Sequence, residues 1–214
     1  MLSYLFSNPL LFIVYIIALL VAITIHEFSH AYVADRLGDP TPRLAGRLKL
    51  NPFVHIDLFG MIFLFIFGFG WGKPVTFDPY NLKDPRKDAA LISLAGPISN
   101  FILATGLSIL LRLFIFLGFP LTSTIGPIVA VFIQLNVVLG VFNLLPIHPL
   151  DGFKIVGGIL PEDRAREWYE LERYGLIFLF MLIFPFGGSS LLDIIIRPIT
   201  TFILSLLIPM GGII

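Results

Sequence analysis

Apolar residues run almost unbroken from Pro9 to Ile25, and only then do polar side chains appear, at His26, Glu27, Ser29 and His30. An apolar run of this length predicts a transmembrane helix. Asn8-Pro9 offers a helix start, and Gly38 followed by Pro40 a stop, so the first span is expected over about residues 8–34. At roughly 1.5 Å per residue that helix is about 40 Å long, which exceeds a ~30 Å hydrocarbon core. The 26–30 turn is therefore expected toward the second interface, still at or near membrane depth. The chain lacks a basic leader and a small-residue cleavage site before the run ends, so the segment is expected to be retained rather than removed as a signal peptide.

Five more apolar stretches follow. The first, 58–71, is rich in Phe and Gly and is flanked on both sides by basic residues, Arg43, Arg47 and Lys49 before it and Lys73, Lys83, Arg86 and Lys87 after it. If it crossed the bilayer, one basic flank would face outward, against the positive-inside rule. It is also short for a span, so a re-entrant or interfacial hairpin is expected, with a short true span as the alternative. Partial alternation at 43–50, and a stretch at 73–77 able to be extended, allow either short strands beside this hairpin or a simple connecting loop. An exposed strand edge there would receive an extended peptide as an added strand. Spans two and three are expected at about 89–119 and 125–145. A charged surface helix is expected over 161–173, then a final pair of spans around 186–190.

Span three ends in Asn143-Leu-Leu-Pro-Ile-His-Pro-Leu-Asp-Gly152. Two prolines and a glycine in so few residues cannot continue a regular helix, and broken backbone at membrane depth is tolerated where it lines a cavity. With three spans alternating in direction, the end of span one and the end of span three meet on one side, the side of the basic flanks. The expected class is thus an all-α polytopic membrane protein. It has a three-helix catalytic core over about 9–160, a re-entrant or β-hairpin segment, and a C-terminal helical pair at about 175–210, all in one membrane-embedded domain.

Composition agrees. The 214 residues are 57% hydrophobic and 13% charged, against about a quarter charged in a soluble domain. Formal net charge is zero and no basic patch suggests nucleic acid. There is no cysteine, so a metal site must be built from His, Asp, Glu or Asn.

His26-Glu-Phe-Ser-His30 is an H-E-x-x-H sequence. Side chains four apart share a helix face, so both imidazoles can reach one ion, and Glu27 can take a proton from water held there. A catalytic zinc has three protein ligands and one open position. His55, Asp57, His148 and Asp151 are the candidates for the third. Topology favours Asp151, whose carboxylate would also offset the charge of the ion in a low-dielectric site; its structural alternative is a helix N-cap. Asn143 can donate an amide N–H to an oxyanion, or simply cap span three. Asn100 is expected to fix span two by an interhelical hydrogen bond.

The HExxH helix, the Asn143-x-x-Pro146-x-x-x-Leu150-Asp151-Gly152 segment and Gly96-Pro97-x-x-Asn100 on the intervening span resemble the site-2 protease family of intramembrane zinc metalloproteases. The chain looks like the compact form, without a PDZ or CBS module. The resemblance implies one Zn2+ per chain held by His26, His30 and Asp151, with Glu27 as general base and Asn143 as oxyanion stabiliser. It implies membrane protein substrates with a transmembrane helix, reached through the lipid bilayer. It also implies residence in the cell (inner) membrane with the active site toward the cytoplasm. A metal-holding scaffold without activity and a metal-ion transporter are the other classes that these residues admit.

Overall fold

The computed structural model describes residues 7–67, 70–119, 122–184 and 190–209. Three of its helices are long and apolar enough to cross a bilayer, α1 (Pro9–Arg36), α4 (Pro85–Phe116) and a stretch of α5 (Thr122–Asn143) running over Thr124–Asn143. Between α1 and α4 lie the single turn α2 (Thr41–Leu44) and the ten-residue α3 (Leu58–Phe67). After α5 come α6 (Asp151–Ile159), α7 (Glu162–Glu170), α8 (Gly175–Ile183) and α9 (Leu191–Leu207).

The long helices start where local chemistry dictates. Asn8 caps α1 by accepting the Leu11 N–H at 3.1 Å, and Pro9 fills the first position, where no N–H is needed. Asp84 caps α4 by accepting the Lys87 N–H, while Asp88 reaches back to accept the Asp84 N–H at 3.0 Å. Helices α1, α4 and α5 pack on one another, and α6 lies against α4. Ala104, Ile133, Val137 and Val141 form a buried cluster between α4 and α5, and Ile196 of α9 completes it.

The segment after α1 does not cross. Ile56 and Gly72 pair as a single antiparallel bridge, and Lys73 N–H donates to the His55 carbonyl at 2.8 Å. The buried Arg47 guanidinium donates to the carbonyls of Val54, Lys73 and Pro74, which ties both flanks together. Gly60 and Gly70 let the returning backbone lie against the start of α3; a Cβ at Gly60 would sit 2.0 Å from the Trp71 carbonyl oxygen. The bridge brings the two ends of 58–71 together on one side, the arrangement expected of a re-entrant segment. The possible strands at 43–50 and 73–77 do not form among the described residues. Pro42, Pro52 and Pro74 lack the N–H that a ladder needs, and the pairing stops at one bridge.

His55 is fully buried and serves this clasp: its Nε2 lies 2.8 Å from the Lys49 carbonyl oxygen, so it donates there. Burial pushes its pKa below the ordinary histidine value. Asp39 joins the end of α1 to the turn at 78–81 that precedes α4. It is wholly buried and accepts from Thr41 N–H, Thr41 O–H, Asp78 N–H and the Asn81 amide. Burial pushes its carboxyl up, but the bonds from Thr41, Asn81 and Asp78 outweigh it and hold the group below the usual carboxylate range.

The C-terminal helical pair is present as expected, but α8 is too short to span: nine residues reach about 13 Å, against a ~30 Å core. It starts directly after the charged turn of Glu172 and Arg173. The surface helix α7 packs its aromatic face inward. Trp168 stacks on Phe153 and donates to the Phe153 carbonyl, and Tyr169 lies against Gly157.

Replacing Asp39 by Leu leaves four donors without their acceptor in a buried site. Leaving a buried donor unpaired costs about 1–3 kcal/mol, so Asp39→Leu should lower the thermal unfolding midpoint in detergent well below the parent value, with Asp39→Asn between the two.

Candidate metal centre

His26 and His30 lie one turn apart on α1, both buried. Asp151 opens α6. It is brought beside them by the compact turn over residues 144–150, in which Gly152 packs so tightly that a Cβ would sit 2.3 Å from the Leu144 and Leu145 carbonyl oxygens. The result is a three-atom cluster. His26 Nε2 is 3.1 Å from Asp151 Oδ2, His30 Nε2 is 3.3 Å from the same oxygen, and the two Nε2 atoms are 3.0 Å apart.

The far nitrogens fix what these near atoms present. His30 Nδ1 is 2.7 Å from the Ile92 carbonyl oxygen, which can only accept, so Nδ1 carries the proton. His26 Nδ1 is 2.7 Å from Asn100 Oδ1, and the Asn100 amide nitrogen is turned the other way, to the Ala22 carbonyl. In the neutral form that a metal requires, each imidazole turns an Nε2 lone pair toward the other and toward a carboxylate. Asp151 Oδ2 is buried with no hydrogen bond. Three converging lone pairs without a proton between them repel; a cation at their centre reverses the sign. Edges of 3.0–3.3 Å suit a tetrahedral zinc, for which bonds of ~2.0–2.1 Å give donor separations near ~3.3 Å. The donor set and its spacing fit the ion.

Gly96 is the floor under the imidazoles. A Cβ there would lie 2.4 Å from His30 Nε2 and 2.6 Å from His26 Cε1. Pro97 follows it and has no N–H to give the Ser93 carbonyl, so α4 lacks a rung one residue from the carbonyl that holds His30.

The cluster borders a cavity of about 910 Å3, at the upper end of the ~300–1,000 Å3 typical of ligand sites. Its walls are largely apolar, from Tyr15 and Leu19 of α1, Met61 and Leu64 of α3, Leu139 and Phe142 of α5, and Leu179 and Phe180 of α8. Glu27 and Asn143 also line it. Glu27 Oε2 accepts the Val75 N–H at 3.2 Å. Asn143 gives one amide N–H to the Leu139 carbonyl at 3.1 Å, which leaves its second N–H for other partners.

Residues 14–126 and 118–185 match the sequence model of Peptidase family M50. "Putative zinc metalloprotease YwhC" of Bacillus subtilis is 40% identical over 181 residues, which cover 82% of this chain and 83% of that protein. The chain belongs to peptidase family M50. Two further relatives of this M50 chain are more distant. "Putative zinc metalloprotease Rip2" of Mycobacterium tuberculosis is 34% identical over 80% of the chain and 66% of its own length. "Zinc metalloprotease MJ0392" of Methanocaldococcus jannaschii is 28% identical over 72% of the chain and 36% of its own length. No solved structure matches.

In this M50 chain the expected ligand trio is brought together, and the other candidates are not. His55 belongs to the clasp, and Asp57 accepts the Gly60 N–H at the start of α3. His148 lies beside Phe153 and Glu172, against Gly175. Asn100 does bridge helices, but its contact with His26 was not legible: the sequence gives no distance between α1 and α4. Gly96 was missed as a packing requirement, although a helix-interior glycine next to proline was a usable signal.

Gly96→Ala adds only a methyl group, yet it must displace the imidazoles. The purified variant should carry far less than one zinc per chain where the parent carries one, measured by elemental analysis, while its helix content is unchanged.

Proposed function

We infer that this chain is an intramembrane zinc metalloprotease that hydrolyses peptide bonds within or near transmembrane segments of other membrane proteins. One observation carries this: a His26–His30–Asp151 cluster, its two imidazoles buried, built partly on a membrane-spanning helix, with a further carboxylate, Glu27, facing the same apolar cavity. His26, His30 and Asp151 would hold one zinc, and three protein ligands leave a position for water or substrate. Zinc supplies Lewis acidity there, polarising a carbonyl and making water more acidic.

The remaining steps fall to side chains of this protein. The Glu27 carboxylate accepts the proton of the attacking water and returns it to the departing amine. The Asn143 amide donates to the oxygen on which negative charge develops. A structural metal would need no such base, so Glu27 favours hydrolysis over a passive scaffold. A transporter would need polar groups along a path, whereas the cavity wall away from the cluster is largely apolar.

A transmembrane helix hides its carbonyls in its own hydrogen bonds, so the substrate must unwind locally. The non-helical segment beside Glu27, with Pro74, Val75 and Phe77 on the cavity wall, is where an extended peptide would align as an added strand. Basic residues cluster at the end of α1 and the start of α4, which supports a site facing the cytoplasm from the cell membrane.

Glu27→Gln should keep its zinc and lose about 10²–10⁴-fold in cleavage rate, the usual contribution of a general base. Comparing the membrane proteomes of cells carrying this variant and the parent should show uncleaved single-span proteins accumulating. Equal cleavage by both would refute the mechanism, and metal flux into proteoliposomes would instead mark a transporter. Asn143→Ala should likewise retain zinc and lose about 10²–10³-fold in kcat, as loss of one oxyanion donor does elsewhere.

A further inference from the structure

A chain of amides runs from α5 through α4 to the first histidine of the metal centre. Asn100 and Asn136 are both wholly buried among apolar helices. The Asn136 amide nitrogen donates to the Phe132 carbonyl at 2.8 Å, one turn back on its own helix. A backbone carbonyl only accepts, so the orientation of this amide is not a matter of choice. Asn136 Oδ1 is thereby turned to Asn100, whose Nδ2 donates to it at 2.9 Å and to the Ala22 carbonyl at 3.1 Å. Both N–H bonds of the Asn100 amide are used. Its Oδ1 is left for His26 Nδ1 and must accept from it.

We propose that Asn136 is a positioning residue for the zinc centre: by fixing the Asn100 amide, it holds His26 as the Nδ1–H tautomer with its Nε2 lone pair aimed at Asp151. It lies on a different helix from either histidine, and its side chain bonds to Asn100 and Phe132. The inference rests on the metal assignment made above for His26, His30 and Asp151. The physical reason for a two-step relay is the medium. In water a lone amide beside His26 would turn freely and find solvent partners. Here a second N–H without an acceptor would be costly, and the amide would swing to satisfy it. The Asn100 oxygen would then leave His26, and the imidazole would lose the partner that sets its tautomer and ring angle.

The test compares Asn136→Leu with Asn136→Asp, two side chains of nearly the same shape as Asn. Asp offers Asn100 an oxygen in either protonation state; Leu offers none. Zinc affinity is measured by chelator competition on the detergent-purified full chain, and thermal unfolding on the metal-free forms. Asn136→Leu should bind zinc about tenfold more weakly, at the low end of the 10–100-fold typical when a ligand's supporting partner is lost. Asn136→Asp should stay close to the parent. A purely structural role would instead lower the unfolding midpoint and leave affinity untouched. Asn136→Ala, which removes the same oxygen without adding bulk, carries the same expectation as Leu and serves if the Leu chain does not fold. Parent-like affinity in a folded Leu or Ala variant overturns the proposal while leaving the metal centre intact. A parent chain that takes up no zinc overturns the metal assignment and this inference together.

Discussion

Two imidazole nitrogens and one carboxylate oxygen face one another across about 3 Å, and with both imidazoles neutral they present three lone pairs to one point. In an apolar interior such a contact is unfavourable unless a cation occupies its centre. Most of the unusual features nearby serve to impose it. The Ile92 carbonyl and the Asn100 amide claim the other nitrogens, so the lone pairs have nowhere else to point. Gly96 removes the one side chain that would keep the rings away. The turn after Asn143 returns the chain sharply enough to place Asp151 on the same spot.

The bilayer explains why most of the buried polar side chains described in this fold are tied into hydrogen bonds. Ser, Asn and Arg side chains within or beside the spans reach backbone carbonyls or one another. Arg47 donates to three carbonyls at the base of the re-entrant segment. Ser108 and Arg112 of α4 donate to the last carbonyls of α9. With no water to fall back on, each satisfied donor also fixes a piece of geometry. The same economy would let an asparagine on a third helix bear on His26 through Asn100.

Cavity and cluster together define what chemistry is possible. Apolar walls contributed by α1, α3, α5 and α8 suit a lipid-like segment, and the His26–His30–Asp151 cluster with Glu27 opens onto them. Glu27 is held by the backbone of the segment that returns from α3, so the base and the surface on which a peptide would lie are mechanically joined. A soluble protease would draw its water from bulk; here water must reach a carboxylate set among apolar side chains.

By itself the sequence determined the all-helical membrane class, the three main spans, the break after Asn143 and the residues able to bind a metal. These follow from composition, apolar run length and the fixed periodicity of a helix, which are local properties. His26 and His30 had to share a face because four residues make just over one turn. Topology and the resemblance already favoured Asp151 over Asp57, His55 and His148; the contact itself belongs to the tertiary structure, because it depends on a turn packed tightly around Gly152. The tertiary structure also decided that 58–71 returns, through the bridge at Ile56 and Gly72, and that the proline-interrupted flanks form no strands. The Asn136–Asn100–His26 connection lay furthest from view. It links three helices by single side-chain contacts, and such contacts leave no periodic trace in the chain that makes them.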